Sequence, residues 1–264
     1  MIVMAEQRSG YPGLDDRLVE AEVTRDEIIG GRRVVVLPAE EPYAAQHLVL
    51  AYVVKAHVAP GYVGATDMLT RHDAESDFAS DTSVRRIGSD PETGGRHLEE
   101  IAFEVVSEHG ERNVTEKAQR MHRRGVRRIF TIVVKGGEWR VREWSPESQI
   151  WRLLEVDAQI EDPCLVKPLP LEALFDVAAA DNAVIEALAA KGNPELLRQE
   201  AVAEAKGKAK MRARSVLMVL ETRGIAVSEA QREKILSCHD LDRLDRWLRR
   251  ATLASSAGEV TSEP

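Results

Sequence analysis

The sequence has few cysteines, few aromatic residues and no long apolar run. Cys164 and Cys238 are the only cysteines among 264 residues, and they lack the spacing of metal ligands, so neither a disulfide framework nor a zinc site is predicted. No apolar stretch approaches the ~20 residues that cross a bilayer, and the N-terminus lacks the features of a secretory signal. These absences predict a cytoplasmic protein without membrane association.

A surplus of basic residues is also missing. The net charge is −8, with 30% charged and 44% hydrophobic residues, a composition typical of soluble globular proteins. Such a charge argues against a protein that coats nucleic acid by bulk electrostatic attraction. Any contact with nucleic acid must therefore come from local basic patches.

The length and the change in composition along the chain predict an α/β domain with a helical appendage. Strand and helix patterns alternate over residues 1–175, after a polar lead-in at residues 1–24. Residues 176–254 are rich in Ala, Glu, Leu, Lys and Arg, which predicts an α-helical extension with one long helix from Glu195 to Arg223. Residues 255–264 are predicted to be a disordered tail.

A single carboxylate interrupts an apolar strand pattern at residues 101–106. Apolar residues run unbroken there except at Glu104, as in a strand covered on both faces. An ionised carboxylate is costly to bury unless it is paired or binds a metal, so Glu104 is expected at a cleft with a partner nearby.

A helix with a lysine on its packed side follows this strand. Residues 113–116 have the pattern of a capping box, which predicts a helix from Val114 to Arg124, ended by Gly125. Lys117 lies beside the apolar stripe and can reach the packed side, although pairing on a solvated helix face is the common alternative.

A second carboxylate, Asp81, falls within the strand pattern of residues 78–87. If this strand pairs antiparallel with that of Glu104, both carboxylates approach each other at one end of the sheet, with Lys117 nearby. Hard oxygen ligands suit Mg²⁺, so this group predicts a site for metal-dependent phosphodiester hydrolysis.

Six blocks of the chain, in their order and spacing, resemble the Uma-two family of restriction-endonuclease-like proteins, which belongs to the PD-(D/E)XK nuclease superfamily. The blocks are residues 26–31, His47 in the following helix, and residues 80–84, 104–107, 115–118 and 125–128. The resemblance covers roughly residues 20–170. Val106 stands where the superfamily places its catalytic lysine.

The resemblance implies a restriction-endonuclease-like mixed sheet flanked by helices. It implies that Asp81 and Glu104 bind Mg²⁺, or Mn²⁺ in its place, and that Lys117 is the catalytic lysine displaced from strand to helix. Glu27 corresponds to an additional acidic residue of the superfamily. His47 is interpreted as a packed or capping histidine outside the catalytic group.

Arginines cluster at the end of the predicted site helix. Arg124, Arg127 and Arg128 are expected to contact DNA phosphates, although a solvated helix end is the simpler alternative. The basic stretch at residues 206–214 has no interleaved aromatic residues, so it is interpreted as the exposed face of a long helix.

The sequence thus predicts a Mg²⁺-dependent DNA endonuclease, a hydrolase of phosphodiester bonds. The alternative is a non-catalytic module of the same fold that binds or regulates a partner through the helical extension. The C-terminal helices are expected to form a homodimer or to bind a partner protein. The net acidity and the missing strand lysine favour the alternative, whereas three polar residues on apolar elements favour the enzyme.

Overall fold

A computed structural model describes residues 25–36, 43–106, 111–135 and 138–262. The predicted lead-in at residues 1–24 lies outside this part of the chain. In the described residues, no helix combines the length and the apolar composition needed to cross a membrane.

In the described residues, alternating and apolar sequence patterns correspond to ten strands. The strands are β1 (Arg25–Ile29), β2 (Arg32–Val36), β3 (Tyr62–Asp73), β4 (Ser76–Arg86), β5 (Glu99–Val106), β6 (Arg128–Lys135), β7 (Glu138–Ser145), β8 (Ile150–Leu153), β9 (Gln159–Ile160) and β10 (Leu169–Pro170). The helices of the same region are α1 (Tyr43–His57), α2 (Glu111–Arg124) and α3 (Val177–Ala190), with a short 3-10 helix at Leu171–Leu174.

Eight of the strands form one mixed sheet. Its order is β2-β1-β4-β5-β6-β7-β8, with β3 paired to β4 outside this path. β5 and β6 are parallel because α2 crosses over between them, and the other neighbours are antiparallel. The predicted α/β class is therefore confirmed, as is the antiparallel pairing of the strands that carry Asp81 and Glu104.

The two faces of the sheet have separate cores because side chains alternate along each strand. Phe103 packs in the larger core together with residues of α1 and α3. Its neighbour Ala102 packs in a smaller core with Ala118 and Met121 of α2. Glu104 lies two residues beyond Ala102 and thus belongs to the side of the sheet that α2 covers.

The chain divides into two compact units, residues 1–191 and residues 192–264. The second unit contains α4 (Pro194–Thr222), α5 (Glu229–Leu236), α6 (Leu241–Ala251) and α7 (Ala257–Thr261). Its core is formed by one stripe of α4 with Ile235, Leu244, Trp247 and residues of α7. The predicted long helix corresponds to α4.

Three predictions differ from the structure. The units meet at residues 191 and 192 rather than 175 and 176, because α3 contributes Ala180, Ala183 and Val184 to the larger core. The tail is not disordered over α7, whose Ala257 and Val260 are buried. Helix α2 already includes Glu111, so the capping box predicted at Asn113 is wrong.

Candidate active site

Glu104 is buried on β5, with 5% of its surface exposed. Its Oε2 lies 3.4 Å from the Nζ of Lys117, while its Oε1 is buried and accepts no hydrogen bond from the part of the chain that the structure describes. A buried oxygen without a donor is unfavourable, so it indicates a position where a ligand or water belongs.

Lys117 extends from α2 into the space between the strands. Its Nζ lies 2.8 Å from the Oε2 of Glu27 and donates to the carbonyl oxygen of Ala79 at 3.1 Å, besides its contact with Glu104. It also lies above the ring of Phe78, 5.3 Å from the ring centroid. Lys117 therefore reaches the packed side of α2, as predicted. It does not pair on a solvated face of the helix, which was the alternative.

Glu27 fills a gap beside β4. β1 and β5 lie along the same edge of β4. β1 pairs with it through Ile28 and Asp77, and β5 pairs with it from Thr82 onward. Within the described residues, the stretch of this edge between Asp77 and Thr82 has no paired strand. In this gap the amide of Ala79 donates a hydrogen bond to Glu27 Oε1 at 3.0 Å. The carbonyl oxygen of Ala79 accepts a hydrogen bond from Lys117. One carboxylate oxygen of Glu27 thus accepts a hydrogen bond from a backbone amide, and the other forms an ion pair with Lys117.

Asp81 lies at the more open side of the cluster. Its side chain is 15% exposed, and its Oδ2 accepts a hydrogen bond from the amide of Val105 at 2.6 Å, one residue beyond Glu104. The Nε2 of His47, on α1, lies 3.8 Å from the same oxygen, with a side chain that is 34% exposed. Access to the buried group therefore runs past Asp81 and His47.

β4 is irregular between Phe78 and Val84, the stretch that carries Ala79 and Asp81. Phe78 packs in the core on the α2 side, whereas Val84 packs in the core on the α1 side, although residues six apart share a face in a regular strand. Asp67, which lies opposite Asp81 on β3, has a positive φ of 50°, a left-handed conformation that is uncommon for residues other than glycine. The irregular backbone is thus located at the site itself, as is frequent where function imposes a conformation.

Burial and charge shift the pKa values of the cluster. Burial raises the pKa of Glu104 to about 8, against the opposing effect of Lys117. Burial also raises the pKa of Asp81, against the effects of His47 and the Val105 amide. Burial lowers the pKa of Lys117, but Glu104 and Glu27 outweigh it and hold the pKa above its ordinary value. The lysine is consequently charged, and Glu104 keeps its proton to a higher pH than an exposed glutamate does.

The donor set is compatible with Mg²⁺, the metal that the resemblance implies. Asp81 and Glu104 offer hard oxygen ligands, and Glu104 Oε1 is the buried oxygen without a donor. In the described part of the chain, no three or more His, Cys, Asp or Glu side chains are grouped so as to hold a metal ion. Mg²⁺ is commonly bound by one or two carboxylates, with waters and substrate phosphates as its other ligands, so two carboxylates meet its requirements.

Two of the three arginines predicted to contact DNA are engaged elsewhere. Arg127 forms ion pairs with Glu100 and Asp162, and Arg128 forms ion pairs with Glu143 and Asp162. These contacts tie the start of β6 to the sheet and to the loop after β9. Arg124 is exposed in the last turn of α2. Of the three arginines, it alone has no ion pair in the described residues.

His47 and the backbone of Ala79 are the parts of the site that the sequence interpretation left out. The only indication for His47 in the sequence was that it formed one of the six family-like blocks. Its distance to Asp81 depends on the packing of α1 against the sheet, which the sequence does not show. Nothing in the sequence marks Ala79, because its role comes from a gap in strand pairing.

The scan against protein-family models and the search of curated proteins return no match to this chain. The argument for a function therefore depends on the geometry of the site and on the resemblance of the motifs.

Proposed function

We propose that residues 1–191 form a metal-dependent DNA endonuclease of the restriction-endonuclease-like fold, related to the Uma-two family. The observation that carries the proposal is the buried contact of Lys117 with Glu104 and Glu27, beside which Asp81 accepts a hydrogen bond from the amide that follows Glu104. The order of α1, the β3–β5 strands, α2 and a parallel β6 also supports this fold.

In this proposal Asp81 and Glu104 would hold the metal ion. When bound, Mg²⁺ would supply Lewis-acid stabilisation of the charge that develops on a phosphodiester oxygen. The ammonium group of Lys117 would donate a hydrogen bond to the attacking water or to the phosphate, after exchanging one of its present acceptors. Glu27 would keep Lys117 charged and in position.

The experiment is a cleavage assay on plasmid DNA and single-stranded DNA with Mg²⁺, Mn²⁺ or a chelator. We expect cleavage that requires metal and falls by two or more orders of magnitude in Asp81→Asn, Glu104→Gln and Lys117→Met. Glu99→Gln is the matched control, because Glu99 is another buried carboxylate of β5 and hydrogen-bonds Thr70 instead. This control should destabilise the protein and retain cleavage.

Metal binding gives a second readout that does not depend on turnover. Because a proton and Mg²⁺ compete for Glu104, the increase in melting temperature on adding Mg²⁺ should grow as the pH rises toward 8. Absence of cleavage together with absence of any Mg²⁺-dependent stabilisation would refute the proposal.

A second candidate is a non-catalytic module of the same fold. The three acceptors around Lys117 Nζ match its three N–H donors, which is the arrangement of a satisfied structural lysine. The ion pairs of Arg127 and Arg128 also favour this candidate. A protein that binds DNA or a partner equally well in the wild type and in Asp81→Asn, without cleavage, would support it.

A further inference from the structure

The cations in the middle of α4 form two rows with different surroundings. Lys208 pairs with Glu204 at 2.6 Å, and Arg212 pairs with Asp245 of α6 at 2.5 Å. Lys206, Lys210 and Arg214 are exposed and have no ion pair in the described part of the chain. Because they are four residues apart, these three side chains lie along one side of the helix, separated by about 6 Å of helix rise each. We call them the unpaired basic row.

The surface beside the unpaired basic row is open. Gly207 lies three residues before Lys210, and a Cβ at this position would meet nothing within 4 Å, so packing does not require a glycine there. A glycine inside an exposed helix is destabilising relative to alanine. Ala203, the other neighbour on this side, is also small and exposed. An extended chain can therefore approach the helix backbone closely between the cations.

The distribution of charge indicates what this surface attracts. Residues 192–264 contain thirteen Lys and Arg against eleven Asp and Glu, whereas residues 1–191 contain twenty-three against thirty-three. The unit that carries the carboxylate cluster thus has a net charge of −10 and repels a polyanion, while the helical unit has a net charge of +2.

We propose that the unpaired basic row of α4 binds the phosphate backbone of a nucleic acid strand. The regular spacing of the cations is of the order of the spacing of successive phosphates along a strand, and phosphate contacts need no aromatic residues between them. A membrane surface fits less well, because an interfacial helix needs a continuous bulky apolar face beside its cations. Ala203 and Gly207 provide none along most of the row, and Met211, which is bulky and exposed, lies only beside Arg214. The choice of nucleic acid rests on the proposed function of the first unit.

The test is binding of the full chain to a short fluorescent DNA duplex in chelator, over a range of salt concentrations. The variant Lys206→Gln/Lys210→Gln removes two unpaired charges, and Lys208→Gln/Arg212→Gln removes two paired charges from the same helix. Glutamine is a good helix former, so both variants should fold, which thermal unfolding checks.

We expect the first variant to bind on the order of tenfold to a hundredfold more weakly at low salt, with a salt slope smaller by about 1.8. The control variant should change both quantities much less, and Arg214→Gln should weaken the first variant further. Equal losses in the two double variants, or no binding of the wild type at low salt, would overturn the proposal. So would anionic vesicles that are bound through Lys206 and Lys210 while DNA binding is unchanged.

These outcomes are separable from failure of the nuclease. Asp81→Asn should bind DNA as the wild type does in chelator, since the unpaired basic row does not include the carboxylate cluster. Binding that depends on the row, without cleavage by the wild type in Mg²⁺, would refute the proposed enzyme alone.

Discussion

Glu104 has two oxygens in two different situations. Oε2 lies within 3.4 Å of a charged lysine, whereas Oε1 is buried with no donor in the described residues. Burial is the larger influence and raises the pKa of this carboxyl group to about 8. The same residue is therefore costly to ionise in the free protein, and a cation close to Oε1 would stabilise its ionised form.

The raised pKa of Glu104 predicts a pH dependence of stability. Because the folded state holds the proton up to about pH 8 and an unfolded Glu loses it near 4.5, the free energy of unfolding should fall as the pH rises between these values. The slope from one proton is at most about 1.4 kcal/mol per pH unit. Denaturant unfolding of the wild type and Glu104→Gln across this window should show a flatter curve for the variant, with a residual slope from Asp81. Parallel curves would contradict the assignment.

Replacing Lys117 by Met should destabilise the protein in a pH-dependent way. The variant leaves Glu27 and Glu104 buried without their shared cation, a loss on the order of 3–5 kcal/mol where both are ionised. The loss should be smaller at pH 5 than at pH 9, because in the wild type Glu104 carries a proton at pH 5 and is mostly ionised beside Lys117 at pH 9. Unfolding free energies at the two pH values measure it. Lys55→Met is the control, because the side chain of Lys55 is exposed on α1, and its unfolding free energy should change by no more than about 0.5 kcal/mol. A loss that is the same at both pH values would refute the explanation.

At the scale of elements, the interruption in strand pairing along β4 creates the site. Ala79 pairs with β3 on one edge of β4. On the edge that β1 and β5 share, it has no strand partner in the described residues, so side chains satisfy its amide and carbonyl groups. A continuous ladder would use these groups itself and would exclude Glu27 and Lys117 from the space. The position of two strands, rather than any single motif, therefore determines where the carboxylates and the lysine meet.

Two substitutions of Glu27 separate its two contacts. Glu27→Gln keeps an oxygen for the Ala79 amide and removes the charge that pairs with Lys117, whereas Glu27→Ala removes both. Amide hydrogen exchange at Ala79 should therefore be accelerated strongly in the alanine variant and little in the glutamine variant. The alanine variant should also lose more stability, since it leaves a buried donor unsatisfied at roughly 1–3 kcal/mol. Similar exchange in both variants would show that the Ala79 amide does not depend on Glu27.

The strands and helices that carry the site could be predicted from local patterns, but their meeting could not. The apolar run around Glu104 and the stripe beside Lys117 reflect local periodicity, which is visible in sequence. The pairing of Glu27 with Lys117 joins residues ninety positions apart. The two residues meet at a gap in the strand pairing of β4, and no sequence periodicity indicates such a gap. Arg127 and Arg128 had the same difficulty, because their partner Asp162 comes from a distant loop. Local sequence therefore could not show these ion pairs, and contact of the arginines with DNA stays a prediction.

At the scale of the whole molecule, α3 decides where the first unit ends. Composition changes near residue 176, and this change predicted the boundary there. Helices rich in alanine can belong to either unit, however, and the buried side of α3 packs with α1 and the 3-10 helix in the larger core. Asp176 caps α3 by accepting a hydrogen bond from the amide of Ala179. The helix is thus part of the first unit although its composition resembles that of the second.

Chains that end at Lys191 and at Phe175 test this boundary. The longer chain keeps Ala180, Ala183, Val184 and Ala187 in the core, whereas the shorter chain exposes the surfaces of α1 that they cover. Loss of four buried apolar side chains should lower the free energy of unfolding by several kcal/mol, at roughly 25 cal/mol for each Å² of apolar surface exposed.

Denaturant unfolding should therefore give the chain ending at Lys191 one cooperative transition, with a midpoint near that of the corresponding transition in the full chain. The chain ending at Phe175 should unfold at a much lower denaturant concentration or fail to fold. Equal midpoints for the two shortened chains would place the end of the first unit at residue 175. If the longer chain cleaves DNA weakly but retains Mg²⁺-dependent stabilisation, the helical unit contributes substrate binding rather than chemistry, as the unpaired basic row requires.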